Sequence, residues 1–290
     1  MKHLNQFITE YIIKKKLNKP IYSEDNYEYF PKTKEELIEN IKELISKDIY
    51  DFNCIDTSEI TDMSNLFDSR NYNKTLDYID ISKWDVRNVE NMQDMFKNCE
   101  KFNCDLSKWN VSKVINMSNM FYNCKIFEGK GLDKWNVSNV KYFICMLFNC
   151  ENFDCDLSNW NMHNATNTYG LFFSCKNFKG KGLENWDISN VTNMSNMFSY
   201  CVNLNCDLSK LKVSTNAIDT GGMFRNCINF DSDLSSWDVS NVKYMEEMFS
   251  NCSKFKGKGL EKWNPKNATE LWDIFKNCNS LKNKPSWYEE

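Results

Sequence analysis

The sequence predicts an α/β solenoid with a parallel sheet along one side and short helices along the other. Three columns of residues predict it. Tryptophan recurs at Trp84, Trp109, Trp135, Trp160, Trp186, Trp237 and Trp263, with Leu211 standing in once. Twelve residues behind run Phe96, Phe121, Leu147, Phe172, Phe198, Phe224 (slipped by one), Phe249 and Phe275. Three residues further on come Cys99, Cys124, Cys150, Cys175, Cys201, Cys227, Cys252 and Cys278. The tryptophan steps alternate almost regularly between 25 and 26 residues. A period of this size marks a chain in which each repeat buries its apolar face against its neighbours.

Three regions follow in order. Residues 1–53 do not repeat and read as a helical N-terminal capping region. Leu4, Phe7, Ile8, Tyr11 and Ile12 fall at helical spacing, and a Tyr-rich connector runs from Ile21 to Pro31. A second helix is expected from about Lys34 to Lys47, with Leu37, Ile41, Leu44 and Ile45 as its apolar stripe. Thr33 and Glu36 have the spacing of a capping box, in which hydroxyl and carboxylate satisfy free backbone N–H groups. Residues 54–278 hold about nine coils, the first of them degenerate and followed by an insertion, Asp68 to Asp80. Residues 279–290, with Pro285 and Trp287, read as a C-terminal lid.

Each coil divides into two halves. Val191, Met194, Met197, Phe198 and Cys201 share one face of a short helix, and Ser189 and Asn190 sit where N-caps belong. Phe102, Cys104 and Leu106 alternate with polar residues, the period of a strand with one buried face. Strand, turn at the tryptophan, short helix and return make one coil of a leucine-rich-repeat-type solenoid. Long coils carry Gly-Lys-Gly-Leu (129–132, 180–183, 257–260) where short ones carry Asn-Cys-Asp-Leu or Asp-Cys-Asp-Leu, so the extra residue arrives with two glycines able to form a bulge.

The string Trp-Asp-Val-Ser-Asn-Val (237–242), continued by Met245, Met248, Phe249 and Cys252, resembles the BspA-like leucine-rich repeat. So does Trp186 to Phe198. The resemblance spans about residues 55 to 280. It implies a right-handed, curved solenoid used for protein binding, in a family with many bacterial surface proteins or adhesins and with members in protists, phages and large viruses.

Bulk properties narrow the function classes. The formal net charge is -4, and the only arginines are Arg70, Arg87 and Arg225, which argues against a nucleic-acid surface. No stretch approaches the ~20 apolar residues of a membrane span, so direct membrane insertion is not expected. Without a Sec-type signal in Met1 to Lys16, the thirteen cysteines read as mostly reduced thiols and the chain as cytoplasmic, with a cell surface or virion as the alternative. The cysteine ladder brings one thiol per coil, and only His3 and His163 could add nitrogen ligands, so no metal is expected. No cofactor fingerprint is present, and the Trp, Met and Phe columns read as core. Buried cysteines at these positions act as small hydrophobes.

One polar column invites a functional reading. Asp105, Lys130, Asp156, Lys181, Asp207, Asp233 and Lys258 sit between the phenylalanine and the leucine of each expected strand and alternate in sign with one failure. They form either a cross-coil charge ladder that sets register or a platform for a protein partner. A second column, Asp85, Asn110, Asn136, Asn161, Asp187, Asp238 and Asn264, follows the tryptophan and suits turn formation. The expected function is a non-enzymatic protein-protein interaction scaffold. The alternatives are a surface or virion adhesin for host protein or glycan and, remotely, a cysteine-dependent enzyme using His163.

Overall fold

A computed structural model describes residues 27–76, 78–213 and 215–288. The N-terminal segment with Leu4 to Ile12 lies outside the described residues. Helix α1 spans Lys34–Ser46. Thr33 Oγ1 accepts from Glu36 N–H at 3.2 Å, while the Glu36 carboxylate reaches back to Lys32 N–H at 2.6 Å, one residue earlier than a strict capping box. Leu37, Ile41 and Leu44 are buried in the same apolar core as the repeats. Lys34 ties α1 to the first repeat by donating to the Asp62 carboxylate at 2.7 Å.

Successive repeats lie one against the next. Parallel bridges join Asp62, Asn91, Asn116, Tyr142, Asn167, Asn193, Asp219, Tyr244 and Glu270 in an unbroken series. These rung residues stand in the half of each repeat where the sequence predicted a helix. The segments expected to be helical, Val191 to Cys201 among them, are instead runs of tight turns. In the repeat after Asn116, the N–H groups of Met117, Asn119, Phe121 and Asn123 donate to carbonyls of the next repeat at 2.7–3.0 Å. The alternate N–H groups of Met120, Tyr122 and Cys124 close turns on residues three back. Asn119 and Asn123 have positive φ, 54° and 63°, which no α-helix tolerates. Residues suited to that region (Asn, Asp or Gly) recur at the same two places, as at Asn196, Gly222, Asn226 and Asn251. Spacings of three and four between buried residues are therefore met by turns, and the predicted helices are corrected.

The predicted strand half is corrected as well. Phe102 to Ser107 is not a strand, and its backbone–backbone bond to the next repeat is Leu106 N–H to the Lys130 carbonyl at 3.1 Å. A two-residue strand pair, β1 (Asp187–Ile188) with β2 (Lys212–Val213), is parallel and lies just beyond the tryptophan position. The paired glycines of the long coils open a 3₁₀ turn, Leu132–Lys134, Leu183–Asn185 or Leu260–Lys262, rather than a bulge. Gly131 requires it: φ is 98°, and a Cβ there would stand 2.3 Å from Ser107 N.

The core is a set of ladders. Trp109 and Trp135 stack at 6.3 Å, Trp160 and Trp186 at 6.0 Å, Trp237 and Trp263 at 6.5 Å. Each indole N–H donates to a carbonyl of the preceding repeat, as Trp160 does to Leu132 at 2.8 Å, so the polar edge of a buried ring is satisfied. Phe198, Phe224 and Phe249 stack at 5.6 and 5.7 Å, so the one-residue slip before Phe224 leaves its column intact. Burying one such ring contributes roughly 1.5–3 kcal/mol. Trp287, expected in a separate lid, takes the next place in the tryptophan ladder: it stacks on Trp263 at 6.1 Å and donates to Leu260 O at 2.8 Å.

The cysteine column has a polar role that sequence reasoning missed. Cys124, Cys150, Cys175, Cys201, Cys227 and Cys252 point their thiols at a carbonyl of the preceding repeat, 2.9–3.2 Å away. Ser-Asn pairs expected as N-caps act across repeats too: Asn139, Asn190 and Asn241 donate to Ser112, His163 and Thr215 carbonyls at 2.6–2.7 Å. The Asn/Asp column after the tryptophan makes Asx turns, as at Asn136, whose Oδ1 accepts from Ser138 N–H at 3.1 Å.

Candidate functional site

The structure brings the Asp/Lys column together in pairs. Asp105 meets Lys130 at 2.9 Å, Asp156 meets Lys181 at 2.7 Å, and Asp233 meets Lys258 at 2.8 Å. In each case an aspartate holds the lysine of the glycine-bearing long coil that follows; Asp105 and Asp156 stand in 25-residue steps and Asp233 in a 26-residue step without the glycines. Each aspartate also accepts from the N–H two residues on: Ser107, Ser158, Ser209 and Ser235 at 2.9–3.0 Å. Partial burial of Asp105 works upward on its carboxyl, yet the Lys130 and Ser107 hydrogen bonds outweigh it and hold it at about 2. Lys181 and Ser158 hold Asp156 at about 2. The same coils add Asp154 with Lys179 and Asp231 with Lys256. Asp207 faces the break in alternation, since the following coil offers Asp233 instead of a lysine. There Leu208 N–H donates to Ser232 Oγ at 2.7 Å, and an open cleft of about 380 Å³ lies beside Asn205, Asp207, Asp231 and Asp233.

The bridged half of each repeat carries a different surface. Most of the large apolar side chains exposed among the described residues lie on it: Ile115, Tyr142, Tyr169, Tyr200, Ile218, Tyr244 and Trp272. Beside them Tyr122, Phe148 and Phe173 stack at 4.5 and 4.4 Å, and Tyr200 follows at 5.4 Å. Lys97 Nζ lies 5.5 Å from the Tyr122 ring at one end of this run, and the Arg225 guanidinium 5.5 Å from Tyr200 at the other. Sequence reasoning missed this surface because the rings were assigned to helices whose outward faces carried no expected pattern. The signal was present in the residue six beyond each rung, where Tyr122, Phe148 and Phe173 align.

Comparison with known families bears on the whole array. The family described as Mycoplasma protein of unknown function, DUF285, matches residues 35–131, 127–181 and 166–288. The chain belongs to this family. No curated protein matches it. Among solved structures it is similar to a leucine-rich cell surface protein from Faecalibacterium prausnitzii A2-165, at 14% identity over 77% of this chain and 82% of the other, with a TM-score of 0.33.

The remaining chemistry of this DUF285 chain is spread out. His163 is exposed, with Nδ1 3.5 Å from the Asp187 carboxylate. Burial pushes the half-exposed thiols up, Cys104 and Cys206 to about 12 and Cys155 to about 11. Among the described residues no cluster of three or more His, Cys, Asp or Glu side chains is placed to hold a metal ion. No helix among them is long and apolar enough to cross a membrane. Near the C-terminal end of the bridged face, desolvation raises the Asp219 and Glu246 carboxyls, with Asp219 adding to the effect on Glu246. Glu246 Oε2 is buried without a hydrogen-bond partner.

Proposed function

We propose that this chain is a non-enzymatic, protein-binding scaffold, and that its stacked repeats are a leucine-rich-repeat-type solenoid of the BspA-like kind. One observation carries the binding reading. Most of the large apolar side chains exposed among the described residues fall in the bridged segments, which stack rung on rung, and such a concentration marks a surface that another molecule covers. The repeat supports it, because a one-dimensional array presents the same chemistry rung after rung over a long surface. Thiols held well above neutral pH are poor nucleophiles, which speaks against a cysteine-dependent enzyme.

The test is a selection from a random peptide library displayed on phage, against the folded, immobilised chain. Binders in the micromolar range that recur as a consensus are expected. A selection that yields no consensus over a scrambled or unfolded control would overturn the scaffold reading.

A further inference from the structure

The bridged face is not uniform along its length. In the columns that face outward beside the rungs, the four repeats starting at Asn116, Tyr142, Asn167 and Asn193 contain no carboxylate. Their one charged residue is Lys141, which is exposed. The repeats on either side carry more acid: Glu90 and Asp94 before them, and after them Asp219, Glu246, Glu247, Glu270 and Asp273 against Lys243, which stands in the column of Lys141. Lys97 answers Asp94 and Arg225 answers Glu247, at 2.9 and 2.7 Å. Among the described residues Asp219, Glu246 and Glu270 form no such ion pair, and the first two crowd one another. An aromatic centre free of carboxylates therefore passes, on one side, into surplus negative charge. Rungs ~4.8 Å apart put about 14 Å between the repeats of Lys141 and Asp219.

From this we infer that the bridged face between Ile115 and Glu246 is the docking surface of the proposed scaffold. Its partner is a protein segment with aromatic or aliphatic side chains at its centre and a lysine or arginine towards Asp219 and Glu246. The inference rests on the scaffold reading and says where that scaffold binds and what it selects.

Two features favour a protein over a glycan. A sugar stacks on the face of a ring. The faces of Tyr122, Phe148, Phe173 and Tyr200 meet one another and the Lys97 and Arg225 cations, so this run offers a sugar little free ring face. Rings and aliphatic side chains such as Ile115 suit apolar side chains packed as in a protein interface, where aromatic anchors dominate. The Asp/Lys column, by contrast, spends its charges internally.

The experiment uses the consensus peptide from the display selection, labelled, titrated against full chain by fluorescence anisotropy. Peptides rich in Trp, Phe, Tyr or Leu with at least one Lys or Arg are expected. The triple variant Tyr142→Ser, Tyr169→Ser, Tyr200→Ser should weaken binding at least tenfold. Asp219→Asn with Glu246→Gln should weaken it about threefold and flatten its salt dependence. Should the triple variant not fold, as judged by its melting transition, Tyr142→Glu alone places a carboxylate in the carboxylate-free centre and should cost at least fivefold. A consensus that binds these variants as well as it binds the parent, or that is lost instead on reversing Asp156 and Lys181, would overturn the inference and leave the scaffold standing. Failure to find any consensus would remove both. A response on a glycan array that the triple variant abolishes, with no peptide consensus, would replace the protein partner by a sugar.

Discussion

Two sides of the same repeat treat their carboxylates in opposite ways. On the Asp/Lys side each aspartate accepts from an N–H two residues on, and all but Asp207 face a lysine one coil on, so the ionised form is favoured. On the bridged side Glu246 and Asp219 lie in a partly dry surface and form no ion pair among the described residues, so the ionised form is disfavoured. Both sides come from the same stacking, which places equivalent residues of neighbouring coils opposite one another. A column that alternates in sign satisfies itself. One that repeats a sign or carries rings does not, and stays available to a partner. The lesson is that a regular charge pattern in a repeat protein is a sign of internal register more than of binding.

The largest expected effect breaks the frame that holds the two sides apart. Gly182 has φ 93°, and a Cβ there would lie 2.2 Å from Ser158 N, a backbone atom that cannot move aside. Gly182→Ala is expected to destabilise by about 3 kcal/mol or more, read as a fall in melting temperature. At Gly221 the nearest atom, at 2.5 Å, is Glu246 Oε1, the end of a flexible side chain. Gly221→Ala should cost less than about 1 kcal/mol. Equal losses at the two positions would contradict the packing described.

The next effect concerns the thiol ladder. Cys201 donates to Phe172 O at 3.0 Å from a fully buried site. Cys201→Val keeps the volume and loses the donor, and should cost about 1 kcal/mol in chemical denaturation. Cys201→Ser keeps a donor and should cost no more than that. A valine variant as stable as the parent would reduce the column to simple filling.

The smaller effects sharpen the contrast in titration. Asp156 is depressed to about 2, below its ordinary 3.8. Its contribution is therefore present above pH ~4 and lost as pH falls through about 2. Asp156→Asn should lower stability by no more than about 0.5 kcal/mol at pH 7, because the pair is exposed, with no difference below pH 2. Glu246 is raised above its ordinary 4.5. It is least harmful below that value and works against folding as pH rises through its folded pKa. Glu246→Gln should raise the melting temperature at pH 7 by on the order of 2 °C and leave it unchanged at pH 4. The same sign for both variants at pH 7 would erase the distinction between the sides.

Much of the packing could be read from the chain. The tryptophan and phenylalanine ladders, the Asx turns at Asn110 and Asn136 and the pairing of Asp156 with Lys181 all follow from columns visible in the sequence. The local backbone did not. A spacing of three and four between Met194, Met197 and Cys201 fits a helix and a run of turns equally well. What separates them is the asparagine, aspartate or glycine at most of the left-handed positions (Cys145, Ser174, Tyr200 and Glu247 are the exceptions), a signal that propensity alone assigns to loops. The docking face was hidden for the same reason. Once Tyr122, Phe148 and Phe173 are assigned to helices, nothing aligns them, whereas turns that repeat rung by rung place them in one stack.

The claim beneath all of this is that alternate N–H groups of the turn segments donate to the next repeat. Residue-resolved hydrogen exchange tests it directly at Asn119, Asn123 and Asn196, which lie in the left-handed region on a partly exposed surface. The account predicts strong protection of these amides, comparable to buried Phe121, because each donates at 2.7–2.8 Å to the neighbouring repeat. Exchange at the rate of free surface amides, with Phe121 still protected, would contradict it.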